Sequence, residues 1–241
     1  MKIFTSLILV FGLSVFSGGK GWNLFSSFKK HIQQTNTKTL NEFYWKAKTN
    51  KKIVAISFDD GPINNTVQIM NYLKKEKIPA SFFCIASQLN STNVKWFNDP
   101  LFELGLHTFT HSDYRKLNYE AKKKDIENCI QRVEKLGVRS KVSYFRPAYG
   151  LMSDDLAKIL KQKQLKGVLW SVDSQDWNGF KQKKLTDHVI NSVDAGSVVL
   201  FHDRVSMADL KVICEGIRKR GFEIVPLSEM IKNYPSEIPV F

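Results

Sequence analysis

Two adjacent carboxylates, Asp59 and Asp60, follow the apolar run Ile53-Val54-Ala55-Ile56 and precede Gly61-Pro62. The run is apolar, rich in β-branched residues and bounded by turn residues, which predicts a short buried strand that Gly61-Pro62 ends. Acids at the exit of a buried strand are costly unless they are paired or hold a cation. A turn that simply favours Asp and Gly accounts for the same residues, so the downstream sequence has to decide. The chain has five histidines, His31, His107, His111, His188 and His202. Two of them stand in His107-Thr108-Phe109-Thr110-His111, directly after a second predicted strand at Leu104-Gly105-Leu106. A spacing of i, i+4 puts two imidazoles on one side of a helical turn, where they can share a cation. With the acid pair this makes two His and a carboxylate. Three protein ligands and an open position are the pattern of a catalytic rather than a structural metal site. Three further strand exits carry polar residues: Arg146-Pro147-Ala148-Tyr149-Gly150, Asp173-Ser174-Gln175-Asp176-Trp177, and Leu200-Phe201-His202-Asp203. Alone, each fits a structural role, as a salt-bridged Arg, a capping Asp or a core-edge His. Their common place at strand exits, where α/β folds collect active sites, points to one site.

The elements that would position these groups alternate. Strands are predicted at Ile53–Ile56, Pro79–Ile85, Leu104–Leu106, Val142–Phe145, Gly167–Trp170, Ser197–Phe201 and Phe222–Val225. Between them, helical periodicity links Val67, Met70 and Leu73 behind a Thr66 cap, then Ile126, Cys129, Ile130, Val133 and Leu136, then Leu156, Ile159 and Leu160 after Ser153, and finally Leu210, Ile213, Cys214 and Ile217. About seven βα units imply a parallel sheet, open or closed into a barrel, as one domain over residues 51–241. Residues 20–50 form a lead-in segment in which Trp22, Leu24, Phe25, Phe28 and Ile32 could line one face of a short helix.

At 241 residues with 43% apolar and 24% charged residues, the composition is that of a folded domain and not of a disordered chain. The balance is basic, 36 Lys+Arg against 23 Asp+Glu. The lysines are scattered and no nucleic-acid motif is present, so a solvated surface attracted to anionic glycans is expected and nucleic acid is not. Met1-Lys2, the apolar run Ile3–Phe16 and the small residues Ser17-Gly18-Gly19 read as a signal for export. It is either cleaved near residues 17–19 or retained as an anchor. The expected location is therefore secreted, periplasmic or in the cell envelope, with association to a membrane through this segment if it is retained. The three cysteines, Cys84, Cys129 and Cys214, lack CxxC spacing and read as small core residues, a single disulfide being the alternative.

Taken together, the five motifs resemble those of the polysaccharide deacetylases (NodB-like, carbohydrate esterase family 4). They are Ser57-Phe58-Asp59-Asp60-Gly61, His107-Thr108-Phe109-Thr110-His111, Arg146-Pro147-Ala148-Tyr149-Gly150, Asp173-Ser174-Gln175-Asp176-Trp177 and Leu200-Phe201-His202. The resemblance covers about residues 52–232. It implies an irregular (β/α) barrel of about seven strands, a monomer, and hydrolysis of acetyl groups on a glycan. It also implies that Asp60, His107 and His111 hold one divalent ion, zinc first and cobalt or another ion as alternatives. By the same resemblance Asp59 is the catalytic base, Arg146 keeps it ionised, and His202 is the general acid oriented by Asp173. The backbone N–H of Tyr149 joins in stabilising the oxyanion, and Trp177 and Leu200 wall the acetyl methyl. Neighbouring acids on a strand point to opposite faces, so one site can use both only if the strand end is distorted. His31 and His188 match no motif and are expected on the surface. The substrate reading is N-acetylglucosamine-containing polysaccharide, with an O-acetyl esterase of xylan or a non-catalytic glycan-binding relative as alternatives.

Overall fold

The computed structural model describes residues 21–138 and 142–239. The segment 1–19, read above as an export signal or anchor, lies outside them. Among the described residues no helix is long and apolar enough to cross a membrane.

Among the described residues eleven strands form in chain order: β1 Phe43–Tyr44, β2 Lys46–Ala47, β3 Ile53–Asp59, β4 Ala80–Cys84, β5 Phe102–Leu106, β6 Tyr144–Phe145, β7 Lys166–Val168, β8 Val172–Asp173, β9 Val198–His202, β10 Glu223–Ile224 and β11 Ser236–Glu237. The helices are α1 Gly21–Gln34, α2 Thr37–Asn41, α3 Asn64–Lys75, α4 Tyr119–Lys135, α5 Asp154–Gln162, α6 Gln182–Ser192, α7 Met207–Lys219 and α8 Leu227–Asn233. The main sheet runs β1-β7-β6-β5-β4-β3-β9-β8, with β10 beside the start of β3. Every pair in it is parallel. β2 and β11 make a separate antiparallel pair.

The sheet has to curl. β7 ends at Val168 and β8 starts at Val172, yet they lie near opposite ends of the strand order. Four residues of extended chain reach at most about 14 Å. The two ends are therefore drawn together, through Leu169 N–H donating to Tyr44 O at 2.7 Å and Ser171 N–H to Val198 O at 3.0 Å. The result is a parallel sheet curled into a half-barrel with helices outside, the expected irregular (β/α) barrel. The strands beyond the expected seven are only two residues long, too short for a periodicity to reveal.

β3 is the central strand, and all seven of its residues are buried. Alternation sends Ile56 and Phe58 to one face and Ser57 and Asp59 to the other. Phe58 stacks on Phe82 of β4 at 5.0 Å and on Phe201 of β9 at 5.5 Å, which locks three strands at the level of the acid pair. α6, unread in the sequence, packs on α7. All three cysteines are buried free thiols. Thr66 sits inside the first turn of α3, with its hydroxyl accepting Ile63 N–H at 2.8 Å. Truncation of Phe58 (Phe58→Ala) removes the ring between two neighbours and is expected to cost about 3–5 kcal/mol of stability. Urea unfolding followed by tryptophan fluorescence checks it.

Candidate active site at the carboxyl ends of the strands

Asp59, Leu106, Phe145, Asp173 and His202 are each the last residue of a strand. Register sets Asp59 beside His202, Asp173 beside Leu200 and Leu106 beside Phe145. The five motifs therefore emerge at one rim of the half-barrel.

The strand-end distortion that two adjacent acids require is present. Asp59 ends β3 with regular alternation, while Asp60 takes a left-handed backbone, φ 72°. This turns the Asp60 carboxylate toward the same cavity. The two acids meet different partners. Asp59 is 2% exposed, and its Oδ1 accepts from Arg146 Nη1 at 2.6 Å. Arg146 is fully buried. It also donates to Ser57 Oγ at 3.0 Å and to the carbonyls of Val168 and Leu169, and it lies over the Phe83 ring at 3.9 Å. Burial pulls the guanidinium below its usual pKa, and the charge of and hydrogen bond to Asp59 act against that.

Asp60 instead faces the histidines. Its Oδ1 lies 3.6 Å from His107 Nε2 and 3.3 Å from His111 Nε2. That oxygen is buried and accepts no hydrogen bond. His107 Nδ1 lies 2.8 Å from Arg146 O. A carbonyl only accepts, so Nδ1 carries a proton, and in that tautomer of the ring Nε2 is the atom that turns a lone pair toward Asp60. Burial, then the neighbouring His107, push the His111 pKa below its usual value. Burial raises the Asp60 pKa, but His107, His202, His111 and Arg204 outweigh it and hold the carboxyl below its ordinary range. One ligand atom from each of the three residues falls within 4.8 Å of the others. An unpartnered carboxylate oxygen between two imidazole lone pairs fits a divalent cation. The two histidines do not share a helical turn as their spacing suggested. Thr108 (φ 62°) and His111 (φ 60°) are both left-handed, and Ser112 N–H donates to the Thr108 hydroxyl at 3.1 Å. A tight loop, not i, i+4 helical geometry, brings the rings 5.1 Å apart.

His202 corrects the sequence reading. Its Nδ1 bonds Asp176 Oδ1 at 2.8 Å, and its backbone N–H donates to Asp176 Oδ2 at 2.8 Å. Asp173 does not take that place. It accepts from Gln175 N–H at 2.9 Å and from the Trp177 indole at 3.0 Å. The reason is local: Gln175 is left-handed (φ 61°) and swings the next residue, Asp176, back over β9. Asp173 positions Trp177, and burial raises its own pKa. Burial lowers the pKa of His202, but the hydrogen bond and charge of Asp176, with Asp59 and Asp60, overcome it and lift it to about 9.

Asp59, Asp60, His107, His111, Asp173 and His202 line one open cavity of about 280 Å³, together with Tyr149, Trp177 and Leu200. Tyr149 is left-handed (φ 60°) and 42% exposed at the mouth. Arg204 gave no signal in the sequence. It pairs with Asp60 Oδ2 at 2.6 Å, so the two oxygens of Asp60 are divided between the histidines and a guanidinium. The remaining histidines are not free surface groups. His31 Nε2 accepts from Met152 N–H at 3.0 Å, and His188 Nε2 lies 2.8 Å from Asp173 O.

The profile of the polysaccharide deacetylases matches residues 46–168. The chain belongs to the polysaccharide deacetylase family. Among relatives of this family, a peptidoglycan-N-acetylglucosamine deacetylase of Bacillus cereus is 32% identical over 198 residues, 78% of this chain and 92% of the relative. The peptidoglycan-N-acetylmuramic acid deacetylase PdaC of Bacillus subtilis is 31% identical over 192 residues. That match covers 75% of this chain but only 39% of PdaC, so the chain spans about two fifths of that longer relative. The crystal structure of the Bc1960 peptidoglycan N-acetylglucosamine deacetylase superposes with a TM-score of 0.77 at 25% identity, over 84% of this chain and 100% of that one.

The two aspartates of the fourth motif separate by titration. In metal-free protein, Asp176→Asn is expected to bring the His202 pKa down from about 9 toward its ordinary value, whereas Asp173→Asn leaves it high. The sign follows from the raised pKa. The stability that His202 gains from its partners is fully present below about pH 6.5 and is lost as pH rises through about 9. Imidazole proton shifts followed by NMR across pH 5 to 10 test both.

Proposed function

We propose that this protein is an exported, metal-dependent hydrolase that removes N-acetyl groups from N-acetylglucosamine-containing polysaccharide, peptidoglycan first. The observation that carries the reading is one cavity holding Asp60, His107 and His111 together with Asp59 and an Asp176-bound His202. A divalent cation held by Asp60, His107 and His111, zinc in the first instance, would polarise the acetyl carbonyl and lower the pKa of an attacking water.

The chain's own residues supply the proton transfers. Asp59 accepts the proton that the water loses as its oxygen bonds to the acetyl carbon. Its Oδ1 is tied to Arg146, which leaves Oδ2, 3.8 Å from His107 Nε2, as the face toward the cavity. The backbone N–H of Tyr149 stabilises the carbonyl oxygen as it gains charge. His202 then gives its proton to the sugar nitrogen as the carbon–nitrogen bond breaks, so that free amine and acetate result. An amine leaves poorly unless protonated, whereas an ester alkoxide needs this less. The hydrogen bond and charge of Asp176 favour the imidazolium form of His202, the proton donor that the amine requires. Intact Asp59, Asp60, His107, His111 and His202 weigh against a non-catalytic glycan-binding role. The peptidoglycan relatives and the basic charge, +13 in sequence, favour an anionic cell-wall polymer as the setting.

Acetate release from peptidoglycan, N-acetylglucosamine oligomers and acetylated xylan ranks the backbones, with peptidoglycan or the oligomers expected first. Chelation is expected to abolish release, and Zn²⁺ or Co²⁺ to restore it; full turnover by metal-free protein overturns the reading. Asp59→Asn is expected to lose at least about a hundredfold in kcat while still binding metal. Loss of metal instead means that the roles of the two aspartates are exchanged. For export, N-terminal sequencing of the mature protein is expected to begin after about residue 17 if the signal is cleaved, and a full-length cytoplasmic product overturns it.

A further inference from the structure

One wall of the cavity comes from outside the motifs. Phe28 of α1 lines it, although α1 precedes the stretch that the family profile matches. Its ring stacks on Trp170 with centroids 4.9 Å apart and planes 19° from parallel. The helix is docked at several points of one face. Ile32, one turn from Phe28, is 8% exposed, and His31 accepts the Met152 N–H. Burial lowers the pKa of His31, which favours the neutral ring that this acceptor role needs. Beyond α1, Asn36 Nδ2 and the Thr39 hydroxyl both reach Asp154 at the start of α5. Gly150 is left-handed (φ 68°), and a Cβ on it would run into the Phe28 ring and meet Trp170. The third motif thus ends on a glycine that lets an aromatic ring from α1 lie directly on its backbone.

Depth within the cavity assigns the subsites. Leu200 (2% exposed), Trp170 (6%) and Phe28 (7%) are the deeply buried apolar lining, whereas Tyr149 (42%) stands at the mouth. A sugar ring carries hydroxyls that are costly to bury against such a floor, while an acyl methyl is not. The acyl chain therefore points inward and the sugar stays at the mouth. A cavity of about 280 Å³ is at the small end for a binding site.

We propose that Phe28 is a specificity-determining residue: with Trp170 it closes the floor of the acyl subsite and restricts the enzyme to acetyl groups. The proposal rests on the deacylase reading above. It assigns to the lead-in helix a direct part in substrate choice, through shape and without touching the reacting atoms.

The test compares N-acetyl, N-propionyl and N-butyryl groups on the glycan backbone that releases acetate best, with the metal-loaded full chain. Wild type is expected to prefer acetyl. Phe28→Ala is expected to raise the butyryl-to-acetyl ratio of kcat/KM at least about tenfold, since a few methylenes in an apolar pocket discriminate by that order. Phe28→Leu is expected to fall between, and it keeps the question readable if the alanine variant does not fold. A purely structural role would lower all three substrates together; an unchanged ratio in active Phe28→Ala or Phe28→Leu protein overturns the proposal while leaving the deacylase reading intact. Wild-type protein that releases no acid from any of the three overturns both.

Discussion

The buried ion pair of Asp59 and Arg146 is the constraint on which the site depends. A carboxylate and a guanidinium with 2% and 0% exposure are each expensive to take out of water. Their attraction offsets that cost only because the rest of the guanidinium is also satisfied, by Ser57, by the Val168 and Leu169 carbonyls and by the faces of Phe83 and Trp170. Those partners come from β3, β4 and the end of β7. The Arg146 carbonyl in turn receives His107 Nδ1. One residue thus holds Asp59, sets the tautomer of a metal-ligand candidate and ties together strands on both sides of the rim. Removing it would leave the buried Asp59 carboxyl without its cation, a costly way to break such a pair.

The same economy separates the paired acids. Asp59 stays in the strand and is neutralised by a permanent cation. Asp60 leaves the strand by a left-handed turn and keeps one oxygen unpartnered between two imidazoles. Nearby, Asp203 is 1% exposed, and burial with repulsion from Asp59 and Asp60 lifts its pKa to about 7. Near neutrality the rim therefore carries less negative charge than its carboxylates suggest, and what remains is matched by Arg146, Arg204 and His202.

Much of this was legible in the sequence because catalytic side chains must stand at strand ends, and buried strands are easy to see as apolar runs closed by turn residues. That Asp59, Asp60, His107, His111 and His202 would share one site was readable that way. What was not readable depended on turn geometry or on distant packing. Asp173 and Asp176 are chemically equal in the sequence, and only the left-handed Gln175 decides which of them reaches His202. His107 and His111 converge through two positive φ angles, although their spacing is that of a helix. Arg204 follows the last motif without periodicity or pattern to mark it. β1, β2, β8 and β11 are two-residue strands whose pairing is set by neighbours, not by their own residues.

Phe28 shows where such limits lie. Its helical period with Ile32 is visible in the sequence, and so is the amphipathic character of the segment. The receiving surface is not. It is made of Gly150, Trp170 and the Met152 backbone, which follow β6 and β7 and come together only when those two strands pair. Gly150 is also the residue after Tyr149, whose left-handed turn sets the mouth of the cavity. A single glycine therefore follows the left-handed residue at the mouth and, by its missing Cβ, admits the Phe28 ring to the cavity wall. Constraint from two directions on one backbone position explains why the lead-in helix can form part of the pocket and still lie outside the stretch that the family profile matches.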